Sequence, residues 1–445
     1  MYVHPAPLAE TAQRLRSSKR SVTEHLADRR KRFQEVEPHI QAFVPEEGRW
    51  SRVERAAEEL LHRFPNVADR PPLYGILLGV KDIFRAEGLP TYAGSQLPPE
   101  LFAGPESEVV TRLRAGGTLI LGKTVTTEFA YFEPGPTRNP YHLEHTPGGS
   151  SSGSAAAVAA GLCELALGTQ TIGSVIRPAA FCGIVGYKPT YNRIPTAGLI
   201  FFSPSAYHVG LFTQDVEGMR LAARVVCTGW DTAKEEKASQ RRPVLGVPEG
   251  PYLEQAEPEG LSAFDRQVRA LERAGYDVRR VPALTDIETI NRWHRRMIAA
   301  EFAQVHAAWF AQYGHLYRPR TAELIREGQQ VTAAALAESR AGQTRYREAL
   351  HELMDREGID VWICPAAPGP APRGLGSTGN PIMNLPWTYM GLPAVTVPAG
   401  RATNGLPLGL QCVARWNEDE ALLVWAEDIA RVLADALAAP SNAIP

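Results

Sequence analysis

The chain has 445 residues, of which 44% are apolar and 22% charged, an ordinary composition for a folded globular protein. Its formal net charge of −2 argues against nucleic acid or an anionic membrane as the main partner. The N-terminus lacks a basic segment followed by an apolar one, and no apolar stretch approaches about 18 residues, so we expect neither a secretory signal nor a membrane span. Five cysteines without a Cys-x-x-Cys pair favour a reducing, cytoplasmic location.

The first part of the chain is predicted to be helical. Residues 8–64 show a helical pattern with one polar face. We expect this pattern to be broken at Glu37-Pro38 and at the turn over residues 44–48.

Short apolar runs then alternate with helical stretches. Examples of the runs are residues 75–80, 118–121 and 394–397. Because these runs have no polar face, they predict a buried sheet covered by helices. We therefore expect an α/β fold with a large mixed, mostly parallel sheet sandwiched between helices. The small residues 154–160 predict a buried helix.

Residues 117–124, GTLILGKT, satisfy the phosphate-loop pattern, but their context is wrong for a nucleotide site. A phosphate loop needs a flexible turn, whereas the four residues between the glycines are apolar and β-prone and must themselves form a strand. The segment 142–145, HLEH, lacks the spacing of a zinc-protease helix. We therefore expect no nucleotide, no metal and no cofactor.

Two serines lie in glycine-rich segments, downstream of a lysine that follows an apolar run. Ser150 belongs to GGSSSGS over residues 148–154, Ser174 closes TIGS, and Lys81 stands in Val-Lys-Asp. A serine hydroxyl needs a base that can be neutral near pH 7. A buried lysine can lose its proton, whereas arginine does not. Each motif alone is as well explained by a turn, but the three together indicate a serine hydrolase with a lysine base.

These motifs resemble the amidase signature family of serine hydrolases. The matching segments are residues 74–82, 122–130, 146–151, 186–190 and 391–394. In that family the nucleophile lies 24 residues after the first serine of the run, the spacing found here between Ser150 and Ser174. The resemblance implies that Ser174 is the nucleophile, Ser150 a bridging serine after a cis peptide bond, and Lys81 the base. It also implies an oxyanion hole formed by backbone N–H groups of Thr171, Ile172, Gly173 and Ser174.

The resemblance also suggests how the chain is divided. Residues 72–226 and 359–429 correspond to the family core, and residues 1–70 form a helical N-terminal segment. The charged, helical segment 231–357 is interpreted as a variable insert that lines the substrate pocket. We expect one domain over residues 1–445.

Around Ser174 the chain departs from the usual family pattern. The family has Asp, Gly and Arg where this chain has Gln170, Ile172 and Ile176, and its arginine comes one place later, at Arg177. We interpret the loss of the acidic and basic residues as the replacement of an ion pair as a unit. Because Ile172 is β-branched and bulky, we expect an altered acyl-side pocket.

Substrate identity is predicted only in outline. Candidate pocket residues are Tyr131, Phe132, Met383 and Trp387, which favour an apolar or aromatic substrate. The expected partner is a small-molecule amide or carbamate, an acylated urea suits the same chemistry, and a homodimer is left open. One rival is the glutamine-hydrolysing subunit of a transfer-RNA amidotransferase, against which the altered Ser174 segment and the lack of a longer C-terminal extension count. Another is an inactive binding protein with the same fold.

Overall fold

A computed structural model describes residues 1–438, in which the chain forms ten β-strands and fifteen α-helices. The strands are β1 Leu77–Lys81, β2 Leu119–Thr124, β3 Leu165–Gln170, β4 Val185–Lys188, β5 His208–Thr213, β6 Leu245–Glu249, β7 Val278–Pro282, β8 Val361–Pro365, β9 Ala394–Arg401 and β10 Pro407–Ala414. The helices are α1 Leu8–Arg16, α2 Val22–Ile40, α3 Arg49–Arg63, α4 Glu108–Ala115, α5 Ser152–Ala159, α6 Ile176–Cys182, α7 Val216–Val226, α8 Thr232–Ser239, α9 Pro258–Arg273, α10 Ile287–Val305, α11 Ala307–Tyr313, α12 Pro319–Gln329, α13 Ala333–Glu357, α14 Leu385–Tyr389 and α15 Asp419–Ala438.

All ten strands belong to one sheet, in the order β2-β1-β3-β5-β4-β9-β10-β8-β6-β7. The predicted large mixed sheet between helices is confirmed. Its pairs β1–β2, β1–β3, β6–β7 and β6–β8 are parallel, and the five pairs between β3 and β8 are antiparallel. The parallel share is therefore smaller than predicted. Part of the reason is the short connection between β9 and β10, because a tight hairpin joins only antiparallel strands.

The N-terminal helices differ from the prediction at one point. Helix α2 continues through Pro38 to Ile40, so the predicted break at Glu37-Pro38 is wrong. The proline lies in the last turn, and the Glu37 carboxylate accepts the N–H groups of Ala42 and Phe43 just beyond the helix end. The predicted turn over residues 44–48 does separate α2 from α3.

The segment 231–357 contributes more than helices. Strands β6 and β7 come from it and extend the common sheet beside β8. The segment therefore adds two strands to the sheet as well as helices α8 to α13. The predicted division into one domain with a core and an insert stays a prediction.

Helix α5 is buried along its whole length, as predicted from its small residues. A Cβ atom on Gly153 would lie 2.1 Å from the carbonyl oxygen of Ala42, so only glycine allows this approach. The helix begins two residues after Ser150. Strands β1 and β3 are parallel neighbours that end at Lys81 and Gln170. The fold thus brings the ends of these strands and the start of α5 to one edge of the sheet.

The segment that mimics a phosphate loop is strand β2, as its apolar residues predicted. Lys123 lies near the end of this strand, and its Nζ forms a buried ion pair at 2.9 Å with Oδ1 of Asp82. The lysine of the motif therefore serves an internal contact between neighbouring strands.

Other features bear on the expected cellular setting. None of the helices in residues 1–438 has the length and apolar character needed to cross a membrane. The five cysteines are buried free thiols, which agrees with their interpretation as small core residues.

Candidate active site

Lys81 lies at the end of β1 with no solvent exposure. Its Nζ is 2.7 Å from Oγ of Ser150 and 2.9 Å from Oγ1 of Thr169. Burial lowers the pKa of Lys81 well below its ordinary value. The neighbouring Asp82 carboxylate pairs with Lys123 instead, so it does not stabilise the Lys81 ammonium. This environment favours the uncharged amine.

The two predicted serines lie on the wall of one cavity. The peptide bond between Gly149 and Ser150 is cis, as the resemblance implied. Ser174 retains 8% exposure, compared with 3% for Ser150, so the predicted nucleophile is the more accessible of the two. Between these two described residues the structure shows no hydrogen bond. Catalytic hydrogen bonds are often long before substrate binds, so this contact is expected to form with substrate present.

The segment before α6 is held by a neutral amide. Oε1 of Gln170 accepts the backbone N–H groups of Val175 and Ile176 at 2.8 and 3.0 Å. Its Nε2 donates to Oγ1 of Thr388 at 2.9 Å, and that hydroxyl donates to the carbonyl oxygen of Ile172 at 2.7 Å. A carboxylate is therefore not needed to fix this loop, which supports the interpretation that the usual ion pair was replaced as a unit.

His294, on α10, holds the same loop from the other side. Its Nε2 lies 2.8 Å from the carbonyl oxygen of Thr171, and burial lowers its pKa to about 4. The imidazole is therefore neutral near pH 7, and Nε2–H donates to that carbonyl. Sequence reasoning missed His294, Thr169 and Thr388. Thr169 could have been found from its place directly before Gln170, but the other two come from distant segments without a motif.

The predicted oxyanion donors are available for a ligand. No acceptor within residues 1–438 takes a hydrogen bond from the backbone N–H groups of Ile172, Gly173 or Ser174. A Cβ atom on Gly173 would lie 2.3 Å from Oδ1 of Asn384 and 2.8 Å from Cβ of Pro381. Only glycine fits at this position, and the loop can therefore pack closely while its N–H groups stay unused.

The cavity at the two serines has a volume of about 280 Å³, near the lower end of the ~300–1,000 Å³ usual for ligand pockets. Its aromatic wall is formed by Tyr131, Phe132 and Phe202. The remaining wall is formed by Ala130, Thr171, Ile172, Arg177, Thr378 and Pro381. A cavity of this size suits a small substrate.

The four predicted pocket residues are separated by the structure. Tyr131 and Phe132 line the cavity, whereas Met383 and Trp387 do not and are fully buried. Nε1 of Trp387 donates to the hydroxyl of Tyr252 at 2.9 Å, so its polar edge is already used within the core. Of the four, only Tyr131 and Phe132 can therefore contact a molecule in this cavity.

Comparison with known proteins agrees with this geometry. The sequence profile of the family described as Amidase matches residues 24–423. The chain belongs to the amidase signature family. One relative is the A-type subunit of the glutamyl-tRNA(Gln) amidotransferase of Synechococcus sp. (strain WH7803), which is 32% identical over 94% of this chain and 95% of that protein.

Solved structures of the family show the same fold. The crystal structure of an amidase is 28% identical with a TM-score of 0.84, covering 96% of this chain and 100% of the other. The structure of 6-aminohexanoate cyclic dimer hydrolase is 25% identical with a TM-score of 0.82, covering 97% of each chain. The protein is thus an amidase-family enzyme of C–N bonds, a class that includes hydrolases and amidotransferase subunits.

One argument from the sequence fails against these comparisons. The lack of a longer C-terminal extension was expected to count against an amidotransferase component. Because the match covers 95% of the Synechococcus amidotransferase protein, chain length does not separate the two possibilities.

Proposed function

We propose that the protein is a serine amidohydrolase that cleaves the C–N bond of a small amide through an acyl-enzyme intermediate. The observation that carries this proposal is the buried Lys81 amine, 2.7 Å from Oγ of Ser150 and without a carboxylate partner. A lysine in this setting can serve as a neutral base.

In the proposed first step, Lys81 takes the proton of Ser150 while Ser150 takes the proton of Ser174. The Ser174 oxygen then attacks the carbonyl carbon of the substrate. The developing oxyanion is stabilised by backbone N–H groups of residues 171–174, and loss of one such donor typically costs ~3–4 kcal/mol in the transition state.

In the second half of the reaction the proton path runs in reverse. Lys81 returns the proton through Ser150 to the leaving amine, and the C–N bond breaks to give the acyl-enzyme on Ser174. Water, deprotonated through the same pair, attacks the acyl carbon and releases the acid.

The proposed substrate has an apolar or aromatic part that packs against Tyr131, Phe132 and Phe202. Ile172, which also lines the cavity, narrows it beside the oxyanion donors. Carbamates and acylated ureas carry a carbonyl group that suits the same machinery, and both are included in the proposal. We also propose a cytoplasmic location, because buried free thiols suit a reducing compartment.

Labelling with a fluorophosphonate probe tests the proposed nucleophile. We expect the wild-type protein to be labelled, Ser174→Ala to lose all labelling, and Lys81→Ala to be labelled far more slowly. Peptide mapping should place the adduct on Ser174. An unlabelled, folded wild-type protein would favour the inactive binding protein instead.

A second candidate function rests on the 32% identity to an amidotransferase component. In that case the chain would hydrolyse glutamine as part of an assembly. Purified chain that turns over a panel of para-nitroanilides, aryl carbamates and primary amides supports the free hydrolase. A chain that is inactive alone and hydrolyses glutamine only with added partner subunits supports the assembly component.

A further inference from the structure

Arg177 is a buried cation at the wall of the active-site cavity. It lies three residues after Ser174 and is 1% exposed. Its Nη1 donates to the carbonyl oxygen of Gly379 at 2.8 Å. Its Nη2 donates to the carbonyl oxygen of Gly149 at 2.6 Å and to Oγ1 of Thr378 at 3.2 Å. All three acceptors are neutral.

The charge of this guanidinium is not balanced. No carboxylate within the described range 1–438 pairs with Arg177, and its Nε–H is buried without an acceptor. Burial lowers its pKa to about 9, so it remains a cation at neutral pH. An isolated buried charge is costly, and a bound anion would remove much of that cost.

The location of this charge suggests which anion it meets. Arg177 shares the cavity with both active-site serines, with Thr378 beside it and an aromatic wall formed by Tyr131 and Phe132. A molecule held by the serines in so small a space contacts both walls. Guanidinium groups bind carboxylates strongly through parallel N–H donors.

We propose that Arg177 binds a carboxylate of the substrate, so that the enzyme acts on short monoamides of dicarboxylic acids. The aromatic residues then contact the uncharged remainder of the molecule. This inference rests on the proposed hydrolase function and adds a substrate class to it.

A pair of substrates that differ in charge tests the inference. Succinic acid mono-para-nitroanilide carries a carboxylate, and the 4-oxopentanoyl para-nitroanilide has a neutral methyl ketone in its place. For the wild-type enzyme we expect kcat/KM to be about 10- to 100-fold higher for the anionic compound, the range of a hydrogen bond to a charged group. In Arg177→Met this ratio should fall to about one, and Arg177→Lys should retain part of it.

The control variant is Arg320→Met. Arg320 is an exposed arginine that donates to the carbonyl oxygens of Phe132 and Gly376 and does not line the cavity. It should leave the substrate ratio unchanged.

The contrary results are distinct. A purely structural Arg177 would lower both rates equally in Arg177→Met and leave the ratio unchanged, which would overturn the carboxylate site. If the variant does not fold, the wild type decides: succinate should inhibit competitively and its diamide should not, and equal inhibition or equal rates on the two substrates would refute the inference. Turnover of the neutral compound with labelling of Ser174 would still support the hydrolase, whereas absence of both would contradict the proposed function itself.

Discussion

At the scale of single residues, the site depends on a lysine whose surroundings do not stabilise its charge. Lys81 contacts two hydroxyl groups, and the adjacent carboxylate of Asp82 is engaged by Lys123. Each contact offers a hydrogen bond without a negative charge. The uncharged amine, which the proposed relay requires, is therefore the favoured form.

The first prediction concerns the pH dependence of activity. Because burial lowers the pKa of Lys81 and the uncharged amine is the active form, kcat/KM should rise as pH increases through this lowered pKa and then level off well below pH ~10. Lys81→Arg should lose at least about 100-fold, since arginine stays protonated. Stopped-time assays between pH 5 and 10 give both results. The exposed Lys19→Arg is the matched control, and an unchanged rate in Lys81→Arg would exclude the base role.

A second prediction at this scale concerns Gly173. Its missing Cβ leaves space for Asn384 and Pro381, so Gly173→Ala must displace the loop that presents the proposed oxyanion donors. We expect a loss of ~100-fold in kcat, comparable with loss of an oxyanion donor. Gly376→Ala is the control, because its Cβ would enter open space. Equal activity of the two variants would argue against the proposed oxyanion hole.

Sequence motifs brought the three proposed catalytic residues into view because their glycines, serines and spacing lie close together along the chain. Thr169 and His294 were missed for a physical reason. Thr169 acts through its position beside Lys81 on a neighbouring strand, and His294 reaches the loop from a helix more than 100 residues away. Such contacts depend on the tertiary fold and leave no local pattern.

At the scale of secondary-structure elements, helix α10 links the segment 231–357 to the active-site loop. Its His294 donates to the carbonyl oxygen of Thr171, and Thr388 of α14 donates to that of Ile172. The two helices therefore fix two successive peptide groups. The N–H groups between them can point into the cavity because their carbonyl groups are held elsewhere.

The third prediction follows from this arrangement. His294→Leu removes the donor to Thr171 and should lower kcat by about 10-fold with a smaller change in KM, because a hydrogen bond that positions transition-state donors is lost. His294→Gln retains an N–H donor and should recover much of the rate. Steady-state kinetics with a para-nitroanilide measure both. A uniform loss in the two variants would show that His294 only fills space.

The elements themselves were predictable to different degrees. Apolar runs located β1, β2 and β9, and the small residues located α5, because burial on all sides leaves a clear composition. Strand direction was predicted less well, since pairing partners far apart in sequence carry no local signal. The continuation of α2 through Pro38 also depends on contacts beyond the helix end.

At the scale of the whole molecule, stability is tied to buried groups that stay uncharged. His294 and His306 are fully buried, and burial lowers their pKa values to about 4 and about 3. In the unfolded chain each would take up a proton near pH 6.5. The unfolded state therefore binds more protons than the folded state below this pH, and the free energy of unfolding falls as pH decreases.

The fourth prediction isolates one of these groups. His306 does not line the active-site cavity, and its Nδ1 is 2.9 Å from the hydroxyl of Tyr317. His306→Gln retains a polar group without a titration. Between pH ~6.5 and ~4.5 the wild-type protein should lose about 2 kcal/mol of stability relative to the variant, at about 1.4 kcal/mol per pKa unit. Urea unfolding at both pH values measures this, and a constant difference would contradict the lowered pKa.

The most direct test of the account is to identify the covalent intermediate. The enzyme is mixed with an activated aryl ester, quenched with acid during the first turnover, digested and analysed by mass spectrometry. The account predicts one acyl group on the peptide that contains Ser174, and none in Ser174→Ala. Turnover without an acylated peptide, or acylation of another residue at the turnover rate, would contradict it.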